Sequence, residues 1–283
     1  MALPQDFDLD EFVRRVLAED LGSGGDVTST ATIAAEARFA AEMNARQTVV
    51  LAGLDVAAAF FRALDAEVGI EVRVKDGDRV EHGTTLMRIA GNARAMLAAE
   101  RSALNTLQHL SGIATLTRQY ADAIAGTGAV LLDTRKTIPG LRLLDKYAAR
   151  MGGALNHRMR LDDGVLIKDN HVAVCGGVAE AVRRAKAASA GLPVQVEVDR
   201  IDQIKPALAA GADRLLLDNM DPARLREAVA LVGRRVPLEA SGGVTLQTIR
   251  FLAETGVDFI SVGRITQSAP AADIGLDYSV EQA

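Results

Sequence analysis

The chain has 283 residues, 49% hydrophobic, 24% charged and 4% aromatic, with no Trp and a formal net charge of -5. That balance is that of a globular protein of one large or two modest domains, and the acidic average argues against a general nucleic-acid binder. With so few aromatics the core must be Ala, Val, Leu and Ile, which favours helices packed on parallel strands over an aromatic-rich β-sandwich.

The amino terminus, MALPQDFDLDEF, lacks a basic-then-apolar signal pattern. No apolar run approaches the ~20 residues needed to cross a bilayer, so the expectation is a cytoplasmic protein with no membrane partner. A short helix is expected from Leu9 to Glu19, followed by GDVTS. Two apparent strands, ARFAAEMNA and TVVLAG, lead to a helix from Leu54 to Ala66. The segment IEVRVKDGDRVEHGTTLMRIAG then alternates apolar and polar residues around a KDGD turn, as a hairpin does. A long helix, ARAMLAAERSALNTLQHLSGIA, closes a region that reads as an α/β sandwich domain, residues 1–112.

From about residue 129 onward, short apolar runs alternate with helical patterns. The runs are AVLLD (129–133), GVLIK (164–168), VQVEV (194–198), RLLLD (214–218), VPLEA (236–240) and DFISVG (258–263). Repeated βα units imply a parallel sheet with right-handed crossovers. Six of them make a βα barrel smaller than the usual eight, with a flat doubly wound sheet as the rival. At the carboxyl ends of these runs stand Asp133 with Arg135 and Lys136, then Lys168, Glu197, Asp218, Ser241-Gly242-Gly243 and Gly263. In a βα barrel such positions converge on one face, where active sites lie.

Between 133 and 171 the chain carries Arg135, Lys136, His157, Arg158 and Lys168 near strand ends or in loops. Arginine forks onto carboxylate or phosphate and lysine adds a point charge, so this cluster suits a polyanion. Arg142, Lys146 and Arg150, spaced by four on the helix after Pro139, read as a solvated face. The SGG (241–243) and VGR (262–264) turns allow close backbone approach to an anion. Glu197 and Asp218 end successive strand runs, either as counterions or as groups that offset a developing cation or help hold Mg²⁺ on a diphosphate. The four histidines lack metal-ligand spacing. Cys175, the single cysteine, excludes a disulfide framework and reads as an inert small residue.

DTRKTIPGLRLLDKYAARMGG, NHRMRLDDGVLIKDNH, VEVD, LLLDNM, LEASGGV and ISVG together resemble the quinolinate phosphoribosyltransferases, as do GDVTS and AERSALNTLQHLSGIAT. The resemblance covers most of the chain. It implies an N-terminal α/β sandwich domain (1–112) and an open, irregular six-to-seven-stranded βα barrel (113–267), with the tail 268–283 packed on the sandwich. It also implies a homodimer in which Arg101 reaches the partner's site. Carried over by motif, Arg101, Thr134, Arg135, Lys136, His157, Arg158 and Lys168 would hold quinolinate and part of phosphoribosyl diphosphate. Glu197 and Asp218 would face the ribose and Mg²⁺, and with Lys136 would serve catalysis. Ser241, Gly242, Gly243, Val262, Gly263 and Arg264 would surround the 5′-phosphate. Arg264 and Gln267 depart from the family pattern, which has a small residue and a histidine there. Two other readings of the residues remain: a Schiff-base enzyme with Lys168 as nucleophile, and a non-catalytic anion-binding protein.

Overall fold

Residues 3–189 and 191–279 are described by a computed structural model, and the chain divides into two units. The first takes in the described residues up to Leu116, then Leu143–Gly152 and those from Ser268 onward; the second is Thr117–Arg142 with Gly153–Gln267.

In the first unit, the carboxylates of Asp8 and Asp26 accept from the backbone N–H groups of Glu11 and Ser29, each at 2.9 Å, and so start the helices Leu9–Leu21 and Val27–Thr32. The strands β1 (Arg38–Ala45), β2 (Val49–Val50), β3 (Gly69–Val72), β4 (Arg79–Val80) and β5 (Thr85–Asn92) follow. Alternation sets the inner face of the sheet: Ala41 lies opposite Ile89 and Met43 opposite Met87, and all four are buried. Phe60 and Phe61 of the helix Leu54–Leu64, and Leu107 and Leu110 of the helix Ala93–Ala123, add to this core. The last strand, Ile274–Ser279, pairs antiparallel with β1 and completes the sheet order last strand–β1–β5–β3. Just before it, Pro270 approaches Gly112 so closely that a Cβ there would stand 2.1 Å from the proline carbonyl oxygen.

Two expectations for this region are corrected. The KDGD turn does not join a hairpin: β3 pairs with β5, while β4 pairs with β2. Asp76 of that turn instead accepts from the N–H groups of Gly53 and Leu54, at 2.8 and 3.1 Å, at the start of the helix Leu54–Leu64. Nor do Arg142, Lys146 and Arg150 form a solvated face. The helix Arg142–Gly152 is buried around most of its circumference, with Asp145, Lys146 and Tyr147 all inside and Arg150 alone of the three basic groups exposed. Its residues from Leu143 group with the first unit, not with the barrel segments on either side of it. Spacing by four identifies one face of a helix but not whether that face meets water.

The second unit is built on six parallel strands: β6 (Val130–Leu132), β7 (Val165–Ile167), β8 (Val194–Val198), β9 (Arg214–Asp218), β10 (Leu238–Ser241) and β11 (Phe259–Ser261). Their order is β6-β11-β10-β9-β8-β7. The first strand therefore lies beside the last, which is barrel order and not that of a doubly wound sheet. The barrel is open between β6 and β7, where Leu155 makes an isolated parallel bridge to Leu132. Helices such as Val178–Ala188 and Pro222–Val232 join successive strands. Among the described residues, no helix is long and apolar enough to cross a membrane.

Candidate active site

The carboxyl ends of the six strands and the loops after them enclose a cavity of about 800 Å³ in the second unit. Strand alternation determines what faces it. Ser241 lies opposite Asp218, and Glu239 lies opposite Leu216, itself opposite Glu197, so these side chains of β8, β9 and β10 share one face. The three kinds of functional group arrive from different strands. Basic groups come from the open edges: Arg135 and Lys136 beside Thr134 after β6, His157 and Arg158 in the loop before β7, and Lys168 just after β7. Carboxylates come from β8 and β9, and glycine turns follow β10 and β11.

The basic groups are poised to bind an anion. Arg135 Nε and Arg158 Nε are buried and have no hydrogen-bond partner among the described residues. Arg158 Nη1 donates to the Gly164 carbonyl at 2.9 Å, which fixes the guanidinium. Burial, and then the charge of Arg135, push the Arg158 pKa below the usual arginine value, against an opposing pull from Asp163. Both side chains are nevertheless only half-buried and line the cavity, and two neighbouring guanidinium groups gain strongly from a bound carboxylate or phosphate. Lys136 is set by its own loop: its N–H donates to Thr134 Oγ1 at 3.0 Å, and its carbonyl accepts from Thr266 Oγ1 at 2.8 Å.

On the acidic strands, Glu197 Oε2 receives Lys168 Nζ at 3.1 Å, and Asp218 Oδ2 receives Asn219 Nδ2 at 2.6 Å. Among the described residues no group of three or more His, Cys, Asp and Glu side chains forms a metal cage. Two strand-end carboxylates in a cavity with anion donors fit Mg²⁺, which keeps waters and substrate phosphates as its remaining ligands. In the turns, a Cβ at Gly242 (φ +93) would stand 2.2 Å from Asn219 Oδ1, and one at Gly263 would stand 2.7 Å from Lys136 Cδ. Both glycines thus let neighbouring loops close down on the cavity.

Ser241, Gly242, Gly243, Val262, Gly263 and Arg264 all line the cavity, and Gln267 joins them. Arg101 does not: it is exposed on the helix Ala93–Ala123 of the first unit. Asp133, a strand-end residue, is also outside the lining. It is fully buried and accepts from Asn156 Nδ2 at 2.6 Å and from the His157 N–H at 2.7 Å. Sequence reasoning missed Asp169, Asn219, Glu239, Thr245 and Ser261, which line the cavity too. Glu239 and Ser261 could have been found, because each lies two residues before a selected position, Ser241 or Gly263, and alternation points it the same way.

Sequence models of the quinolinate phosphoribosyl transferase family match this chain, the C-terminal-domain model over residues 113–277 and the N-terminal-domain model over 26–111. The chain belongs to the quinolinate phosphoribosyltransferase family. Among relatives in this family, the nicotinate-nucleotide pyrophosphorylase [carboxylating] of Mycobacterium leprae is 45% identical over 273 residues, 94% of this chain and 95% of that protein. A probable nicotinate-nucleotide pyrophosphorylase [carboxylating] of Bacillus subtilis is 39% identical over 96% of this chain and 94% of its own length. The crystal structure of nicotinate-nucleotide pyrophosphorylase from Ehrlichia chaffeensis superposes with a TM-score of 0.93 at 39% identity, covering 97% of this chain and all (100%) of that one. The quinolinate phosphoribosyltransferase domain boundary near residue 112 lies close to the start of the second unit at Thr117, apart from the helix residues Leu143–Gly152 that group with the first.

Proposed function

We propose that this protein transfers phosphoribosyl from phosphoribosyl diphosphate to quinolinate with decarboxylation, giving nicotinate mononucleotide, CO₂ and diphosphate for NAD biosynthesis. The observation that carries this reading is one cavity lined by two neighbouring guanidinium groups and two strand-end carboxylates, in a member of this family. Quinolinate brings two carboxylates, and phosphoribosyl diphosphate brings a 5′-phosphate and a diphosphate. A site for both must bind anions at several points while offsetting positive charge at the ribose.

In this reading Arg135, Arg158, Lys136 and Lys168 hold the carboxylates of quinolinate and the diphosphate. The backbone at Gly242, Gly243 and Gly263, with Ser241, Val262 and Arg264, surrounds the 5′-phosphate. The bond from ribose C1 to diphosphate breaks with its electron pair leaving on the diphosphate oxygen, through an oxocarbenium-like state. Glu197 and Asp218 offset the charge on the ribose, and Lys136 that on the leaving group. The pyridine nitrogen then bonds to C1. The resulting pyridinium stabilises the ring carbanion left when the 2-carboxylate departs as CO₂, and that carbon takes up a proton. Glu197 and Asp218 would help hold Mg²⁺, which when bound would supply positive charge to the departing diphosphate. The protein's part is positioning and desolvation.

Lys168 serves better as an ion-pair donor than as a Schiff-base nucleophile, because its Nζ stands 3.1 Å from Glu197 and not in the apolar surroundings that leave a lysine amine neutral. The functional unit in this reading is a homodimer, with Arg101 of the partner subunit completing the site. Mixing Arg101→Ala and Lys136→Ala chains then restores part of the activity, and no recovery after confirmed subunit exchange removes the shared site. The activity itself is tested by diphosphate and CO₂ release from quinolinate, phosphoribosyl diphosphate and Mg²⁺. Release of both, absent when nicotinate replaces quinolinate, is expected; silence from folded protein overturns the function.

A further inference from the structure

His157 sits among the basic groups of the cavity, yet neither of its ring nitrogens is open to a ligand. Nδ1 accepts the backbone N–H of Arg158 at 2.8 Å. Nε2 is sealed from solvent and faces Glu239 Oε2 at 3.5 Å, long for a hydrogen bond and within ion-pair range. A ring nitrogen that accepts an N–H carries no proton of its own, so the hydrogen-bond geometry assigns the His157 proton to Nε2, toward Glu239. The backbone is tied as firmly, since the His157 N–H donates to the buried carboxylate of Asp133 at 2.7 Å.

Glu239 is built to receive this contact. It is fully buried in the interior of β10, where Oε2 also takes Gln195 Nε2 at 2.8 Å and lies 3.8 Å from Arg214 Nη1. Burial pushes its carboxyl up, but the contacts from His157, Gln195 and Ser261 outweigh that and keep it below the usual glutamate range. Arg135 and Arg158 stand close enough that their charges repel. Without an anion between them, something else must keep the loop that carries Arg158 from swinging away.

We propose that His157 is a strut and not an anion ligand: it ties the Arg158 backbone to Glu239 on β10, while Asp133 at the end of β6 ties the same loop from below. Glu239 and His157 are then positioning residues that preorganise Arg158 before the acidic substrate arrives. The inference deepens the proposed function, and rests on it where Arg158 is taken to bind a quinolinate carboxylate.

Two measurements test it. Nitrogen-15 NMR of ring-labelled protein, with His157 assigned by its loss in His157→Asn, reads the tautomer without any substrate. Unprotonated Nδ1 and protonated Nε2 are expected; a proton on Nδ1 overturns the strut. Equilibrium titration with quinolinate then compares wild type, His157→Asn, Glu239→Gln, Arg158→Ala and the two doubles with Arg158→Ala. Each of the first two variants should weaken binding by about ten- to a hundredfold, raise KM and leave kcat at saturation near wild type. Neither should weaken binding further once Arg158 is gone. Full additivity in the doubles, or undiminished binding in both single variants, overturns the inference. Should Glu239→Gln fail to fold, His157→Asn carries the same comparison. If wild type itself does not bind quinolinate, it is the proposed function that fails, and the NMR result still decides the strut.

Discussion

Two sets of charged side chains, one in each unit, are treated differently by the fold. At the mouth of the barrel, Arg135 and Arg158 are half-buried, line the cavity and stand close enough for their charges to repel. In the first unit, Asp145 and Lys146 are fully buried, Asp145 takes His109 Nε2 at 2.8 Å, and Tyr147 donates its hydroxyl to Asp76 at 2.7 Å. Both sets include residues of the stretch 133–171, and in the sequence both look like the same run of charge. Groups buried with partners inside the chain hold the fold, whereas half-buried cations that line a cavity are available to a ligand. The sharpest consequence is that variants of the two sets should fail in different ways.

The largest effect is expected at the barrel mouth. Glu197→Ala and Lys136→Ala should each lower turnover by about a hundred- to a thousandfold, read as diphosphate release, with the thermal melt little changed. Near-normal turnover in both would remove this assignment of the site. Next comes Asp145→Ala, which strips a buried partner from His109 and should cost about 3 kcal/mol of stability in a urea titration. The folded fraction should keep its kcat, and a loss of activity at unchanged stability would erase the contrast between the two sets. Arg158→Ala should raise the quinolinate KM by on the order of ten- to a hundredfold, as loss of a charge-assisted bond does, with a far smaller change in melting temperature. Tyr147→Phe, which removes only the hydroxyl on Asp76, should cost about 1 kcal/mol.

The smallest effect is a pH dependence. Asp65 accepts from the N–H groups of Asn92 and Glu67 at 2.8 and 3.0 Å. The Asn92 bond chiefly, then the Glu67 bond and the charge of Arg38, hold its pKa below the usual aspartate value, with burial opposing. A depressed folded pKa means that the stabilisation is present above the unfolded pKa and is lost as pH falls through the folded one. Asp65→Asn should therefore flatten the acid arm of a stability–pH curve and leave neutral-pH activity alone. An acid arm as steep as that of wild type would show that Asp65 does not contribute to it.

Much of the barrel could be read from the chain because its signals are local. Each βα unit has a buried run, a polar strand end and a helix, and all six expected strands are present: β8 and β9 with the bounds expected, β6, β7 and β11 shortened by a residue or two at their ends, and β10 shifted to Leu238–Ser241. The strand ends that were selected do meet in one cavity, with Asp133 the exception. Asp133 looked like its neighbours in DTRK, but its carboxylate turns inward to hold Asn156 and the His157 backbone. Glu239 is harder to see for the opposite reason: in LEASGG it reads as a residue within a strand, although alternation from Ser241 points it to the same cavity. The KDGD turn carried a genuine hairpin signal, but the partner of β3 proved to be β5, a non-adjacent strand that no short-range pattern names.

By itself, then, the sequence determined the βα periodicity, the charged and glycine-rich strand ends, and the motifs that resemble the quinolinate phosphoribosyltransferases, because these depend on residues close together in the chain. Tertiary structure alone decided which charges are buried and which are open. Lys146 and Lys168 are both lysines of the same stretch, yet one lies fully inside the first unit and the other half exposed at the cavity. Burial and partner choice are set by segments far away in sequence, such as Glu239 against His157 and Asp76 against Tyr147, and they become visible only when the chain has folded those segments together.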